Sequence, residues 1–244
     1  MMQFLRKNFI TGMTIKEPKI NFSTWNMRKT KALSVEDKAY LERRIAESEK
    51  LTGVQMVMSV IQRCDSYPEI PWKAFAAGTS ITGCIAIAAV LFYPVWPGKE
   101  VLLLALAVVP AGGLLILITA LLSSKFARLL TGSDRMKTEA GQYAESLFLE
   151  NKLSGTPDRK GILIMAALFE RQVVIIPDTG LEDRMDNKTL LSIIERMSPL
   201  LRRDDLRGAL DTGLNDLVSI LGYAGKGPDL HGELPDQIIE RKGE

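Results

Sequence analysis

Two long segments without charge constrain this sequence most strongly. Residues 74–98 and 101–124 each contain no charged side chain, and only Lys99 and Glu100 separate them. A bilayer core of ~30 Å needs about 20 helical residues, so each segment is long enough to cross it. The alternative is a pair of buried core helices in a soluble protein, which two such runs in so short a chain disfavour. The pattern therefore predicts a transmembrane helical hairpin at 74–124.

Aromatic residues mark the ends of the predicted spans. Trp72 precedes the first span, and Tyr93 and Trp96 lie beside the turn. Their amphipathic rings prefer the interface between membrane and water. This placement supports spans near 74–95 and 101–124.

Small side chains give the first span a distinct face. They recur every four residues, at Ala76, Ser80, Cys84 and Ala88. Small residues on one face let a second helix approach closely, so we expect this face to contact the second span near Ala107 and Ala111. Neither span carries an ionisable residue, which favours a membrane anchor over an ion or proton pathway.

Basic residues predict the orientation of the hairpin. They flank the two spans on the side away from the turn, at Lys73, Lys125, Arg128, Arg135 and Lys137. Positive residues stay on the cytoplasmic side. We therefore expect a multi-pass protein of the cell inner membrane, with both termini and the soluble domain in the cytoplasm.

Composition argues against several functional classes. The net charge is +2, and no dense run of basic residues interleaved with aromatics occurs, so nucleic acid is not the expected partner. The two cysteines, Cys64 and Cys84, cannot form a CxxC metal site. His231 is the one histidine, which leaves no multi-histidine metal site. No GxxxxGK[ST] phosphate loop and no GxGxxG motif after a strand occurs.

The residues before the apolar segments predict a helix and then a strand. Ser34 and Asp37 have the spacing of a capping box at a helix start. Leu41 and Ile45 lie on one face of that helix. Alternating apolar residues at 54–60 then indicate a strand.

The residues after the apolar segments predict a second group of elements. A helix is expected over about 135–152. Short continuous apolar runs at 161–168 and 173–176 are typical of central strands covered on both faces, and residues 169–172 would form the turn between them. Two further helices are expected, with Asn187 and Asp205 as their caps.

These elements predict one α/β domain that the hairpin divides in sequence. The expected organisation is a basic N-terminal arm at 1–32, a discontinuous domain at 33–73 and 125–222, the hairpin at 74–124 and a C-terminal tail at 223–244. The arm carries Phe4, Leu5, Phe9 and Ile10 among basic residues. It is either an amphipathic segment on an anionic leaflet or a disordered tail.

Several of these segments resemble the TPM domain family. The similar stretches are Thr156 to Ile164, Glu170 to Val173, Asp178 to Glu182 and Glu233 to Asp236, together with the first helix and strand at 33–67. The resemblance covers roughly 33–75 and 131–236. It implies a three-layer α/β/α domain with a small mixed sheet, interrupted here by a transmembrane helical hairpin.

The resemblance implies less about function than about fold. Members of the family are associated with photosystem repair, with acid phosphatase activity and with assembly of membrane complexes, often beside LemA-type membrane proteins in bacteria. The resemblance therefore implies the lipid bilayer and a membrane protein, with a LemA-type protein as one candidate, as partners.

Carboxylates near the ends of strands are the candidate metal ligands. Asp65 follows the first strand, Asp158 precedes the second and Asp178 follows the third. Hard oxygen ligands of this kind suit Ca²⁺ or Mg²⁺, and ligands in open sheets prefer the crevice beyond the carboxyl ends of strands. We expect the loops at Asp65 and Asp178 to line one cleft. Aspartates in such places also serve as turn formers and helix caps.

Other charged side chains extend the list of candidates. They are Glu170, Glu182 and Asp183, with Arg159 and Arg171 as cationic partners for a phosphoryl group. Glu170 and Arg171 also fit an exposed hairpin tip, and no catalytic residue is assigned.

Two functional hypotheses follow. In the first, the chain is a membrane-anchored interaction or scaffold module that supports assembly or maintenance of a membrane protein complex. In the second, it is a divalent-metal-assisted acid phosphatase that acts on phosphomonoesters near the membrane. The absence of a histidine cluster and of a phosphate-binding motif favours the first.

Overall fold

The computed structural model describes residues 33–92, 98–222 and 238–241. Its helices are α1 (Val35–Thr52), α2 (Glu69–Phe92), α3 (Lys99–Leu122), α4 (Ser124–Leu130), α5 (Ser133–Glu150), α6 (Asn187–Arg202) and α7 (Leu206–Leu221). Its strands are β1 (Gln55–Ile61), β2 (Gly161–Ala167), β3 (Gln172–Pro177) and β4 (Ile239–Arg241). The predictions on the N-terminal arm, Tyr93, Trp96, His231 and residues 233–236 fall outside the described residues.

The described chain divides into two compact units. The sheet unit contains residues 33–60, 144–166, 173–222 and 238–239. The hairpin unit contains residues 61–92, 98–143, 167–172 and 240–241. The hairpin unit thus includes more of the chain than the predicted insertion at 74–124.

A four-stranded sheet confirms the predicted α/β class. Its strand order is β3-β2-β1-β4. All seven residues of β2 are buried, and so are six of the seven in β1. Such burial requires cover on both faces of these strands, as in a layered α/β domain. The alternation noted at 54–60 therefore does not separate a buried from an exposed face.

The strand directions contradict one part of the site prediction. The Gln55 amide donates to the Lys160 carbonyl (2.9 Å), which sets β1 parallel to β2. The Asp178 amide donates to the Gly161 carbonyl (2.8 Å), which sets β3 antiparallel to β2. Strands β1 and β3 therefore end at opposite edges of the sheet. The expectation that the loops after them line one cleft is wrong, because it assumed that both strands run the same way.

The helices of the sheet unit follow their sequence signals closely. Ser34 and Asp37 form the predicted capping box of α1, and Asp205 caps α7 as expected. Helix α6 differs by one residue, since its cap is Asp186, whose side chain accepts from the Thr189 amide at 2.9 Å. Asn187 is instead its first helical residue.

Helix α7 contacts both α1 and α6. Arg44 of α1 forms an ion pair with Asp211 of α7 at 3.0 Å. Buried apolar residues on the facing sides include Leu41, Ile45, Met197 and Leu214. These three helices therefore form one packed group in the sheet unit.

The predicted C-terminal tail contains a strand. Strand β4 extends the sheet beside β1, and the Gln62 amide donates to the Arg241 carbonyl at 3.1 Å. Only three residues form this strand. So short a segment carries too little alternation to be recognised in the sequence.

Helices α2 and α3 are each 24 residues long and apolar enough to cross a membrane. They begin and end within a few residues of the predicted spans, and they pack against each other. Only 6% of the most apolar stretch of each helix is buried. This separates them from the core helices of a soluble protein, which would be mostly covered.

Glycine residues lie where α2 and α3 approach most closely, and we call this contact the seam. A Cβ atom at Gly78 would lie 2.6 Å from the Gly112 carbonyl oxygen and 2.7 Å from the Gly113 Cα. The Thr82 hydroxyl lies 3.1 Å from the Val109 carbonyl across the seam. Close backbone approach of this kind is typical of membrane helix pairs.

The predicted seam of small residues is therefore wrong. Ala76, Ser80 and Cys84 are exposed on α2, and Ala107 and Ala111 are exposed on α3. Glycine permits a closer approach than alanine or serine does, so the face with Gly78 packs inward. The alanine and serine face remains on the outside of the hairpin.

Substitution at Gly78 tests the seam. Because the obstructing atoms belong to the backbone of α3, we expect Gly78→Ala to lower the free energy of unfolding by about 1–3 kcal/mol. Gly83→Ala is the matched control, since a Cβ there meets nothing within 4 Å. Thermal unfolding of both variants in detergent, followed by circular dichroism, measures the difference. Equal stability of the two variants would contradict the close contact between Gly78 and the backbone of α3.

Candidate functional site

A buried turn joins β2 to β3 in the hairpin unit. Glu170 at this turn is only 2% exposed and Arg171 is 9% exposed. The prediction of an exposed hairpin tip is therefore wrong. Charged residues at a turn normally face water, so their burial requires partners from elsewhere in the chain.

Glu170 receives hydrogen bonds from the loop that follows β1. The Cys64 amide and the Tyr67 hydroxyl each donate to its Oε1 at 2.8 Å. Both donors lie more than 100 residues before it in sequence. Its Oε2 atom is buried and has no hydrogen-bond partner among the described residues. This carboxylate thus joins the β2–β3 turn to the segment that leads into α2.

The ionisable partners of Glu170 are held in their protonated forms. Burial, and then the Glu170 charge, raise the pKa of the Tyr67 phenol. The same two causes raise the pKa of the Cys64 thiol. A thiol needs to ionise before it acts as a nucleophile, so Cys64 is unreactive here. Tyr67 acts as a hydrogen-bond donor.

Aromatic rings and guanidinium groups surround this carboxylate. The Tyr67 and Phe169 ring centroids are 5.3 Å apart. The Arg63 guanidinium lies 4.7 Å from the Phe169 ring and 5.0 Å from the Tyr67 ring, within the range of cation–π attraction. Burial, and then the neighbouring Arg171 charge, lower the pKa of Arg128 to about 10. The site therefore combines one carboxylate with several cations.

Backbone strain occurs at two residues of this site. Tyr67 has φ of 48° and Arg171 has φ of 55°, in the left-handed region that favours glycine. Tyr67 is also fully buried. Such conformations cost about 1–2 kcal/mol each and persist only where the surroundings fix them. The hydrogen bond and ring packing of Tyr67 provide that restraint.

A second ion-pair group fixes the start of α2 to α5. Arg135 lies 3.0 Å from Asp65 and 3.1 Å from Glu69, and 3.6 Å from Glu139. The hydrogen bond to Asp65 is the main cause that raises the pKa of Arg135. Asp65, one of the predicted metal ligands, is therefore engaged with this arginine.

The other predicted ligands lie in the sheet unit. Asp158 is exposed and pairs with Lys160 at 3.1 Å. Asp178 is 5% exposed, and its Oδ1 accepts from the Thr179 amide at 2.7 Å. The Oδ2 atom of Asp178 is buried without a hydrogen-bond partner among the described residues.

The turns at Asp158 and Asp178 contact each other. A Cβ atom at Gly180 would overlap the Asp158 carbonyl oxygen, so only glycine allows this approach. Asp158 and Arg159 both have positive φ. Across the described ranges, no group of three or more His, Cys, Asp and Glu side chains is placed to hold a metal ion. The metal assignment to Asp65, Asp158 and Asp178 stays a prediction.

Sequence reasoning did not identify Arg63, Tyr67, Arg128 and Phe169 as site residues. Their partners lie far away in the chain, and spacing alone does not reveal such contacts. One signal was present, because Phe169 places an aromatic ring at a turn that was expected to be exposed. A large apolar residue beside a charged one at such a position indicates that the turn is covered.

Residues 127–220 match the sequence profile of the TPM domain. The chain carries a TPM domain. This match includes Glu170, Arg171 and Arg135, as well as Asp158 and Asp178. The first helix and strand, which also resemble the family, lie outside the matched residues, as does the apolar hairpin.

One solved structure is similar in outline to this chain. It is the solution structure of the BA42 protein from the psychrophilic bacterium Bizionia argentinensis. The two share 14% identity with a TM-score of 0.49, over 86% of this chain and 97% of that one. No curated protein is similar enough to count as a match.

Removal of the Glu170 carboxylate tests the role of this site in stability. In Glu170→Ala the Cys64 amide and the Tyr67 hydroxyl lose their acceptor inside the protein, at a cost of about 1–3 kcal/mol for each group. We expect Tyr67→Phe to cost less, about 1 kcal/mol. Chemical unfolding of the full chain in detergent measures both values.

Glu182→Ala serves as the control, since Glu182 is exposed and such changes stay within about 0.5 kcal/mol. A loss in Glu170→Ala no larger than in this control would contradict the structural role of Glu170.

Proposed function

We propose that this protein is a membrane-anchored interaction module, in which the TPM domain binds or maintains a membrane protein complex and the α2–α3 hairpin holds it at the bilayer. The observation that carries the proposal is the exposure of the two apolar helices. Exposed leucine, isoleucine and valine side chains lie along residues 81–91 of α2 and 101–122 of α3. An apolar surface of this extent needs lipid or protein to cover it.

The boundary of the hairpin supports a bilayer as the cover. Trp72 is 76% exposed near the start of α2, where an indole ring suits the interface. Lys73 is next to it, and Lys125 follows the end of α3. By the positive-inside rule, we expect this side of the hairpin, and the TPM domain with it, to lie in the cytoplasm.

The outer faces of the hairpin support a protein partner within the membrane. Small residues are exposed on both helices, at Ala76, Ser80 and Cys84 on α2 and at Ala107 and Ala111 on α3. Small side chains allow close approach of a further helix. A membrane protein that docks there would be held beside the TPM domain.

Charges placed in the apolar helices test membrane anchoring. We expect the full chain to stay in the membrane pellet after alkaline carbonate extraction. Ile85→Asp with Leu115→Asp places two charges in exposed positions of the spans, at about 2.5–3.5 kcal/mol each, and most of this variant should leave the pellet. Leu149→Asp, an exposed apolar position in α5, should behave like the unchanged chain.

Quantitative release of the unchanged chain by carbonate would contradict the proposal that the hairpin anchors the protein in the membrane. Release of all three proteins to the same extent would show that the spans do not hold the protein in the membrane.

A metal-assisted phosphatase is the second candidate function. It is favoured by one observation, the buried and unpartnered Oδ2 atom of Asp178 next to the turn that carries Asp158. A divalent cation would satisfy such an oxygen and would offset the charge of a transferring phosphoryl group. The acidic oxygens there suit Ca²⁺ or Mg²⁺.

Calorimetric titration of the full chain with Ca²⁺ and Mg²⁺ tests this candidate. If the site exists, Asp178→Asn should weaken binding at least about tenfold, since loss of even an outer-shell partner of a metal ligand costs that much. Asp183→Asn removes an exposed carboxylate from the same loop and should leave binding unchanged. No heat of binding with either ion, together with no hydrolysis of a generic phosphomonoester, would exclude the phosphatase.

A further inference from the structure

Helix α4 lies between the end of α3 and the start of α2. It begins directly after Ser123, whose extended backbone (φ −122°, ψ 103°) ends α3. At its other end, the Lys73 ammonium donates to the Leu130 carbonyl at 3.3 Å. Because Lys73 immediately precedes the uncharged stretch of α2, both ends of α4 lie at the same boundary. The helix therefore runs from the end of one candidate span to the start of the other.

The two sides of α4 differ in character. Ala127 is buried in a cluster with Tyr67 and Phe169, which fixes one side to the protein. Lys125 and Leu129 are four residues apart and so lie on the same side of the helix. Lys125 is exposed, and Leu129 is 78% exposed. A cation and an apolar side chain thus project together from the side away from the cluster.

Arg128 adds a second cation to this helix. It is partly buried and lies one turn after Lys125. Burial and the neighbouring Arg171 lower its pKa, while the Glu170 carboxylate acts in the opposite direction. Helix α4 carries no acidic residue, and its Lys125 is exposed. This positive charge favours an anionic ligand at α4.

We propose that α4 is an interfacial helix that binds the phosphate groups of anionic bilayer lipids through Lys125 and Arg128, with Leu129 placed among the acyl chains. The inference rests on the proposed membrane anchoring, since lipid reaches α4 only if α2 and α3 span the bilayer. Basic side chains can extend from an apolar helix face to the headgroups. Trp72 is exposed at the same boundary, where an indole ring suits the membrane interface.

Trp72 provides a reporter for the lipids around α4. Trp25 and Trp96 are replaced by Phe, so that Trp72 is the remaining tryptophan of the full chain. The protein is reconstituted in phosphatidylcholine vesicles that contain either brominated phosphatidylglycerol or brominated phosphatidylcholine at the same mole fraction. Bromine quenches tryptophan fluorescence on contact, so the ratio of the two quenching constants measures local enrichment of the anionic lipid.

The expected result is enrichment of phosphatidylglycerol by about fivefold, the effect of one basic side chain near an anionic surface. Lys125→Gln should lower this ratio at least about twofold, and Lys125→Gln with Arg128→Gln should bring it close to one. Lys50→Gln with Lys188→Gln removes the same charge from exposed positions of the sheet unit and should leave the ratio unchanged.

The outcomes separate the lipid proposal from the anchor on which it rests. No quenching of Trp72 by either brominated lipid would overturn membrane anchoring and the lipid site together. Equal quenching by both lipids, or a preference that Lys125→Gln leaves intact, would overturn the lipid site alone. Lys125 is exposed, so its replacement does not disturb folding.

Discussion

The parallel pairing of β1 with β2 constrains the path of the chain that connects them. The two strands are hydrogen-bonded neighbours, yet α2, α3, α4 and α5 all lie between them in sequence. A parallel pair requires a crossover that returns the chain to the same end of the sheet. If α2 leaves the domain through a bilayer, α3 has to bring the chain back. An even number of crossings is thus a requirement of the sheet itself.

The Glu170 site reinforces this constraint at the point where the chain leaves β1. Its hydrogen bonds to Cys64 and Tyr67 hold the short segment between β1 and α2 against the β2–β3 turn. The strained backbone at Tyr67 and Arg171 is tolerated because these contacts restrain it. The Tyr67 phenol and the Cys64 thiol stay protonated, so neither group is activated for chemistry. The hydrogen bonds of this site instead link the segment after β1 to the β2–β3 turn.

Local patterns in the sequence predicted most of the fold. The capping box at Ser34, the cap at Asp205, the runs of β2 and β3 and the apolar helices all depend on neighbours within a few residues. Three predictions that involved distant residues were wrong. They were the exposed turn at Glu170, the single cleft at Asp65 and Asp178, and the alanine and serine seam. The direction of each strand, and the face of α2 that packs against α3, depend on contacts between distant residues. The spacing of residues along the chain does not reveal such contacts.

Accessibility of single cysteines in sealed vesicles tests the hairpin most directly. Cys84 is replaced by alanine, and cysteine is introduced at Glu36, Glu100 or Ser133, all of which are exposed. Cys64 stays buried and unreactive. We expect a membrane-impermeant maleimide to label residues 36 and 133 from one side of the bilayer and residue 100 only from the other. Labelling of all three positions from the same side would contradict the crossing of the bilayer by α2 and α3.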